Sequence, residues 1–325
     1  MARAIELAKK AWGRTNPNPM VGAVIVKNGK IVGEGYHKRA GGPHAEVEAI
    51  KKAAREARGA DLFVNLEPCC HYGKTPPCVD AVLSAGLKRV YVGMPDPNKL
   101  VHQKGIRVLR KKGVKVEIGV LKQECEILNE SFSKFIQTKI PFVIMKAAIS
   151  LDGKIATSSG ESQWITGEKS RKRVHELRGS VDAILVGSGT VLKDDPQLTA
   201  RIGNKKLKNP TRIILDKRNR VSLDAKVFDN ADKDKVIYAT SPKLSKLRKK
   251  RLRNKGVDIL VLGRNDKGFA LKTLFKELGR KGITSLLIEG GSEVNGSAIK
   301  EKVIDKAILF IAPIIIGGVT APGFV

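Results

Sequence analysis

The chain has 325 residues, 42% of them hydrophobic, and a formal net charge of +29. That length suits two domains rather than one core, and the hydrophobic share is that of a soluble globular protein. Residues 1–19 mix charge with alanine and lack the apolar core of a signal peptide. The most apolar stretch, residues 307–319, is too short to span a bilayer and reads as a buried strand plus turn. A cytoplasmic protein with no membrane partner is expected.

In chain order, residues 2–11 read as a helix. Residues 21–26 and 31–36 read as strands joined by the turn Lys27-Asn28-Gly29-Lys30. A helix over 45–58 ends at Gly59. A strand over 62–66 runs into a cysteine-bearing loop, followed by a helix over 79–85, a strand over 90–93, a helix over 106–112 and a strand over 114–118. This alternation predicts an α/β layer with a mixed sheet. Residues 121–140 read as a helix and a connection, and a domain boundary is placed near Pro141. Further strands are expected at 142–149, 183–187, 212–216, 236–240, 257–262, 285–289 and 307–312. The expected domains are therefore residues 1–140 and 141–325.

The charge admits a nucleic-acid partner, an anionic substrate or simply a lysine-rich wet surface. Only residues 243–255 form a dense basic block, and Leu244, Leu247 and Leu252 within it suggest an amphipathic helix. Aromatic residues make up only 5% and are not interleaved with the basic ones, which argues against a stacking platform for single strands. Nucleic acid is not the expected partner.

The chemistry is concentrated in His44-Ala45-Glu46 and Pro68-Cys69-Cys70-His71, with Cys78 further on. Three of the four cysteines lie close together beside histidines, which favours a metal over disulfides. One imidazole and two thiolates, from His44, Cys69 and Cys78, would leave a tetrahedral zinc one open position for water. Glu46 could then move that water's protons, as in a nucleobase deaminase. Residues two apart do not share a helix face, so the metal must sit at the N-terminal end of the helix for both His44 and Glu46 to serve it. Alone, His44 would read as a satisfied or exposed histidine. Cys70 is set aside as a third thiol, and His71 stands as a weaker alternative ligand. Deaminases usually place two residues between their cysteines; here eight intervene.

That long gap, in Glu67-Pro68-Cys69 and Thr75-Pro76-Pro77-Cys78, resembles the bifunctional deaminase/reductase family of riboflavin biosynthesis. So do Asn16-Pro17-Asn18-Pro19-Met20-Val21-Gly22 and the run from Gly35-Tyr36-His37 through Gly42-Pro43-His44. In the second half, Ser150-Leu151-Asp152-Gly153-Lys154, Gly160-Glu161-Ser162-Gln163-Trp164-Ile165-Thr166 and Thr190-Val191-Leu192-Lys193-Asp194-Asp195-Pro196 resemble its reductase domain. The resemblance implies a cytidine-deaminase-like domain followed by a dihydrofolate-reductase-like domain. It implies zinc, NADPH, a phosphorylated pyrimidine substrate and a homo-oligomer. The two reactions would be deamination of 2,5-diamino-6-(5-phosphoribosylamino)pyrimidin-4-one, then reduction of the ribosyl group to ribityl. Zinc would lower the pKa of its water toward about 7, and Glu46 would carry protons to the ring nitrogen and the leaving amine.

Asn18 would orient the substrate by the same resemblance; without it, Asn18 reads as a turn residue between prolines. Ala148, Trp164, Thr190, Asp194 and the run Gly291, Ser292, Glu293, Val294, Asn295, Gly296 and Ser297 would line the NADPH site. Ser162, Arg178, Leu198, Arg201 and Glu289 would meet the substrate, the two arginines as phosphate holders. Independently, Gly290-Gly291 after an apolar strand offers a backbone approach to a pyrophosphate at a helix N-terminus, whereas no Gly-x-Gly-x-x-Gly supports a Rossmann fold. Two departures from the family pattern stand out. Lys99 replaces a proline and Val101-His102-Gln103 replaces a small-residue run; the chain also ends soon after Gly317-Gly318, short of the family's usual length. Two rival readings are a deaminase of a base in tRNA and a basic nucleic-acid-binding protein with structural zinc. The reductase-like half opposes the first, and Glu46 beside a three-ligand set opposes the second.

Overall fold

The computed structural model describes residues 1–72, 76–162, 165–202, 205–206, 208–263 and 270–325. The chain divides into two compact units, Met1–Lys139 and Ile140–Val325.

The first unit runs α1 (Ala2–Lys9), β1 (Gly22–Lys27), β2 (Lys30–Tyr36), α2 (Ala45–Ala53), a 3-10 turn (Ala54–Ala57), β3 (Asp61–Leu66), α3 (Cys78–Ser84), β4 (Arg89–Met94), α4 (Lys104–Lys111), β5 (Lys115–Ile118), α5 (Lys122–Leu128) and α6 (Glu130–Thr138). Its sheet has the order β2-β1-β3-β4-β5, with β1 antiparallel to its neighbours and the rest parallel. The β1–β2 hairpin turns through Asn28 and Gly29, both at positive φ, as a right-twisted hairpin requires. Helix α2 buries Ala45, Ala49 and Ala53, a small-residue stripe that lets it lie directly on β2. The contact is close: a Cβ on Gly35 would fall 2.3 Å from Ala45 O, and one on Gly33 2.3 Å from Ala49 O. The helix N-terminus is thereby held against the sheet.

Two expectations need correction in this unit. Helix 45–58 is not continuous: Ala54 adopts φ 47°, and the turn that follows brings Ala57 into the core beside Ala53. Residues 121–140 form two helices rather than one, broken at Asn129, whose side chain is committed elsewhere (below).

The second unit runs β6 (Phe142–Ile149), α7 (Glu168–Ser180), β7 (Ala183–Gly187), α8 (Ser188–Asp194), β8 (Arg201–Ile202), β9 (Lys205–Lys206), β10 (Thr211–Asp216), a 3-10 turn (Lys226–Phe228), β11 (Val236–Thr240), α9 (Lys246–Asn254), β12 (Asp258–Val261), α10 (Leu271–Arg280), β13 (Ser285–Ile288), α11 (Ser292–Lys300) and β14 (Lys306–Ile311). Seven strands pair in the order β12-β11-β10-β7-β13-β6-β14, all parallel. The central strands are buried on both faces, which is why they read as unbroken apolar runs. Two apolar clusters flank this sheet, one around Ile184, Ile214 and Tyr238, the other around Ile213, Phe275 and Leu286.

The C-terminal apolar stretch departs from expectation. Strand β14 ends the sheet order rather than being buried: Ile308 and Phe310 pack inward, whereas Leu309 and Ile311 are exposed, and Ile315 and Val319 beyond it are more so. Only one face of a terminal strand here meets a core. In the basic helix α9, Leu252 is buried, but Leu247 is exposed, so the apolar stripe is narrower than predicted. No helix among the described residues is long and apolar enough to cross a membrane.

Candidate functional site

The first site forms where α2, the loop after β3 and α3 begin or end. His44 is the N-cap of α2, with extended backbone (φ −78°, ψ 161°), and Cys78 is the first residue of α3. Cys69 follows β3 by three residues, and the Cys78 backbone N–H donates to its sulfur at 3.3 Å. His44 Nδ1 lies 3.1 Å from Cys78 Sγ and 3.5 Å from Cys69 Sγ. The three ligand atoms all lie within 4.8 Å of one another. Ligands bound at 2.0–2.3 Å to a tetrahedral zinc would sit roughly 3.5 Å apart, so one nitrogen and two sulfurs in this arrangement fit that ion. Cys70 and His71 are not in the cluster: Cys70 packs against the core, and His71 is exposed. Residues 73–75 of the intervening loop, including Thr75, lie outside the described residues.

Proton sharing marks this cluster. Hydrogen bonds from the Cys78 thiol first, then from His44 and the Cys78 N–H, overcome burial and pull the Cys69 thiol down to about 4. The Cys78 thiol is pushed up as the donor to that thiolate and by burial. His44 is raised, mainly by its bond to Cys69. Glu46, in the first turn of α2, is only 3% exposed. Burial, with the Cys69 thiolate, pushes its carboxyl up to about 7, a value suited to moving protons in both directions near neutrality.

Asn18 reaches this region through His37, a residue whose role the sequence did not reveal. His37 Nδ1 lies 3.0 Å from Pro43 O, so it carries the proton and donates there. His37 Nε2 then accepts from the Asn18 NH2 at 3.1 Å, which leaves the amide Oδ1 as the acceptor end. The His37 ring, 3% exposed, meets that of His44 edge-on at 5.3 Å. The loop bearing Asn18 is clamped at Met20. Asn129 Oδ1 accepts the Met20 N–H at 2.8 Å, and both Asn65 and Asn129 donate to Met20 O. The only available hint was that asparagines are scarce inside apolar strands such as β3. Glu67 braces the opposite side: its carboxylate accepts the N–H groups of Asp96, Gln103 and Ile106. It thus orders the 96–103 segment in which the sequence departs from the family pattern.

The second site is a cavity of about 980 Å³ along the C-terminal edge of the seven-stranded sheet. Of the expected cofactor residues, Ala148, Thr190, Asp194, Gly291, Ser292, Glu293, Val294 and Ser297 line it. Asn295 and Gly296 do not. In a helix, positions 293, 294 and 297 share a face that 295 and 296 leave; Asn295 is fully buried, and its amide donates to Phe324 O at 2.9 Å. Trp164, with Gln163, lies outside the described residues. The two glycines before α11 differ in role. A Cβ on Gly290 would strike Val294 at 2.7 Å, so this glycine serves strand–helix packing, whereas one on Gly291 would meet nothing closer than Thr190 Oγ1 at 3.9 Å. Gly291 is thus the open backbone at the N-cap of α11, an end at which helix N–H groups suit an anion.

Of the expected substrate residues, Ser162, Arg178, Leu198 and Glu289 line the cavity, and Arg201 does not. Arg201 is exposed and pairs with Gln197 Oε1 at 2.9 Å. Arg178 is not free to hold a phosphate by its fork: Nε and Nη2 both donate to Glu289 at 2.8 Å, and Nη1 reaches Thr199 O. Burial alone would raise the Glu289 carboxyl, but Arg178 holds it below the usual carboxylate range. Lys146 Nζ stands 3.9 Å from the same carboxylate, and burial lowers its pKa. Lys146 was missed, although a single lysine in the run Phe142–Ile149 was a visible signal. Ser162 Oγ donates to Asp194 Oδ1 at 3.3 Å, joining an expected substrate residue to an expected cofactor residue.

Comparison with known proteins matches both halves. Residues 1–94 match the cytidine and deoxycytidylate deaminase zinc-binding region, and residues 141–325 match the RibD C-terminal domain. The riboflavin biosynthesis protein RibD of Actinobacillus pleuropneumoniae is 48% identical over 98% of this chain and 84% of its own length. That of Aquifex aeolicus is also 48% identical, over 98% of this chain and 87% of its own. The crystal structure of a diaminohydroxyphosphoribosylaminopyrimidine deaminase/5-amino-6-(5-phosphoribosylamino)uracil reductase from Thermotoga maritima superposes with a TM-score of 0.88. It is 41% identical and covers 100% of this chain and 88% of that one. The chain belongs to the RibD family: a zinc-dependent, cytidine-deaminase-like domain joined to an NADPH-dependent reductase domain with the dihydrofolate-reductase-like fold, acting in riboflavin biosynthesis.

Proposed function

We propose that the first unit deaminates 2,5-diamino-6-(5-phosphoribosylamino)pyrimidin-4-one to 5-amino-6-(5-phosphoribosylamino)uracil, and that the second reduces the ribosyl group of that product to ribityl. The observation that carries the first step is Glu46: a carboxyl buried beside three convergent zinc ligands. His44, Cys69 and Cys78 would hold the zinc, which would supply a water acidified toward about 7. Glu46 would take one proton from the water and pass it to the ring nitrogen as the oxygen adds to C2, then take the proton of the new hydroxyl and deliver it to the amine as the C–N bond breaks, leaving a carbonyl and ammonia. Asn18, fixed by His37, accepts from a ring N–H or amino group and sets the face presented.

In the second unit, NADPH, when bound, would supply the hydride. Thr190, Asp194 and the α11 N-terminus at Gly291 to Val294 seat it, and Ala148 and Ser297 complete the wall. Glu289 stays ionised through Arg178 and offers acceptors to the ribosyl hydroxyls, with Ser162 and Leu198 beside it. Arg178 therefore positions Glu289 rather than gripping phosphate.

The same proposal places the enzyme in the cytoplasm, supported by four unpaired thiols and a need for NADPH. It takes the working form to be a homo-oligomer, which the open apolar face of β14 supports. Glu46→Gln tests the deaminase assignment. The variant should retain zinc and reduce the deaminated product normally, while ammonia release falls by roughly 10²- to 10⁴-fold. Deamination at the wild-type rate would refute the role of Glu46.

A further inference from the structure

Asn295 is fully buried on the face of α11 that turns away from the reductase cavity. Its amide donates to Phe324 O at 2.9 Å, while its Oδ1 is buried and finds no partner among the described residues. A half-satisfied buried amide costs stability that an apolar side chain of similar size would not. The bond to Phe324 is what the amide supplies at that position.

Phe324 ends a short strap whose carbonyls are held along its length. Lys154 Nζ donates to Ala321 O at 2.9 Å, the Ile155 N–H donates to Pro322 O at 3.0 Å, and Lys154 pairs with Gly323 in an isolated antiparallel bridge. Upstream, the Asp152 carboxylate accepts the Ile316 and Gly317 N–H groups at 3.1 and 2.8 Å, so the turn after β6 holds both ends of residues 316–323. Residues 321–324 thus run from that turn to α11.

Of residues 312–325, only Pro322 lines the cavity. Ile155 and Ala156 line it beside the turn, and Gly291 to Val294 line it on α11, whereas Lys154, Asn295 and Phe324 do not. Pro322 is therefore tied to Ile155 directly, and to α11 through Phe324 and Asn295. The segment from Ile155 leads to Ser162, assigned above to the substrate, and α11 is the element assigned to the cofactor. The strap spans the two.

We propose that Asn295 is a positioning residue for the reduction: by fixing the 321–324 strap to α11, it holds the cofactor wall and the substrate wall of the cavity at the separation that hydride transfer needs. The inference rests on the reductase reading of the second unit. That reaction moves a hydride from NADPH to the anomeric carbon of the ribosyl group and adds one proton, leaving NADP⁺ and the ribityl chain. Transfer slows steeply when donor and acceptor are misplaced, whereas binding of either depends on contacts that Asn295 does not make.

The experiment uses the full chain. Asn295→Leu removes the amide and keeps a similar packing volume. With the deaminated product as substrate, kcat should fall about tenfold, while KM for NADPH stays constant and the thermal midpoint does not drop. The isotope effect on kcat with NADPH deuterated at the transferred position should rise, because hydride transfer slows relative to product release. Lys154→Met, which frees the strap at its other end, should show the same pattern and carries the test if Asn295→Leu does not fold. Ammonia release should be unaltered in both. A lowered midpoint with unchanged kcat and isotope effect would give Asn295 a purely structural role and overturn the proposal, and so would a raised KM for NADPH at unchanged kcat. Failure of the wild type to oxidise NADPH with that product would sink the reductase reading and the alignment role together. An active wild type with unaffected variants would remove the alignment role alone.

Discussion

The two sites are built in opposite ways. The deaminase centre draws its three candidate ligands and its carboxylate from two short segments at element ends, and its key distances are 3.1–3.5 Å. The reductase cavity gathers its wall from β6, β7 and β10 and from the segments that follow β7, β10 and β13, and its ion pair joins residues 111 positions apart. The first concentrates reactivity in side chains whose chemical type is decisive. The second relies on sheet register to bring ordinary side chains together. The contrast teaches that a metal centre is legible by residue type, whereas a cofactor groove must be read by position.

The sharpest way to break this comparison is to disable one site and watch the other. Cys78→Ala should abolish zinc binding and ammonia release, while NADPH oxidation with the deaminated product continues at the wild-type rate. Loss of both activities would show that the units do not act separately. Arg178→Ala is the converse test. It leaves the buried Glu289 with Lys146, at 3.9 Å, as its ion-pair partner among the described residues, so the second unit should lose about 3 kcal/mol of stability in denaturant unfolding, and its activity should collapse. A loss under 1 kcal/mol would mean that the pair is not buried as described.

A smaller effect is expected from Asn129→Ala, which removes two of the three hydrogen bonds that clamp Met20 and leaves the Asn18 loop held there by Asn65. Deamination should drop by up to about 30-fold, from the loss of two hydrogen bonds worth roughly 1 kcal/mol each, with zinc content unaltered. Unchanged kinetics would remove the clamp from the account. Zinc binding should also release protons. Near pH 7 the Cys69 thiol, down at about 4, is already ionised, so the proton to be displaced is the one held by Cys78, whose pKa is raised. Calorimetry in buffers of different ionisation enthalpy should find roughly one proton released from the thiols, and affinity should fall with acid. No proton release would contradict the shared-proton arrangement.

The smallest effect concerns Asp152. Hydrogen bonds from Ser150 and from the Ile316 and Gly317 N–H groups bring its carboxyl down to about 2 from 3.8. A depressed carboxylate contributes stability that is present above pH 3.8 and is lost as pH falls through 2. Asp152→Asn should therefore speed hydrogen exchange at Ile316 and Gly317 at neutral pH and remove the acid dependence there; identical exchange in both proteins would exclude the tie.

Much of the architecture was legible. Strand runs such as residues 183–187 and 236–240 are apolar throughout because both sheet faces are covered, and the hairpin at Asn28-Gly29 follows from turn chemistry. What escaped was set by partners distant in sequence. The break at Asn129 depends on Met20, 109 residues away, and the exposure of β14 depends on its place at the end of the sheet order.

By itself, the sequence determined the chemical inventory: one imidazole, two thiols and a glutamate in an arrangement suited to zinc hydrolysis, and a glycine pair between a strand and a helix. Those signals survive because metal-ligand type and element periodicity are local properties. Only the tertiary structure decided that Cys70 points to the core while Cys69 and Cys78 share a proton. It alone showed that His37 sets the Asn18 amide, that Arg178 belongs to Glu289, and that Arg201 lies off the cavity wall. Each of these depends on which segments the sheet register brings side by side, a choice made by burial of the whole core and not by any residue's near neighbours.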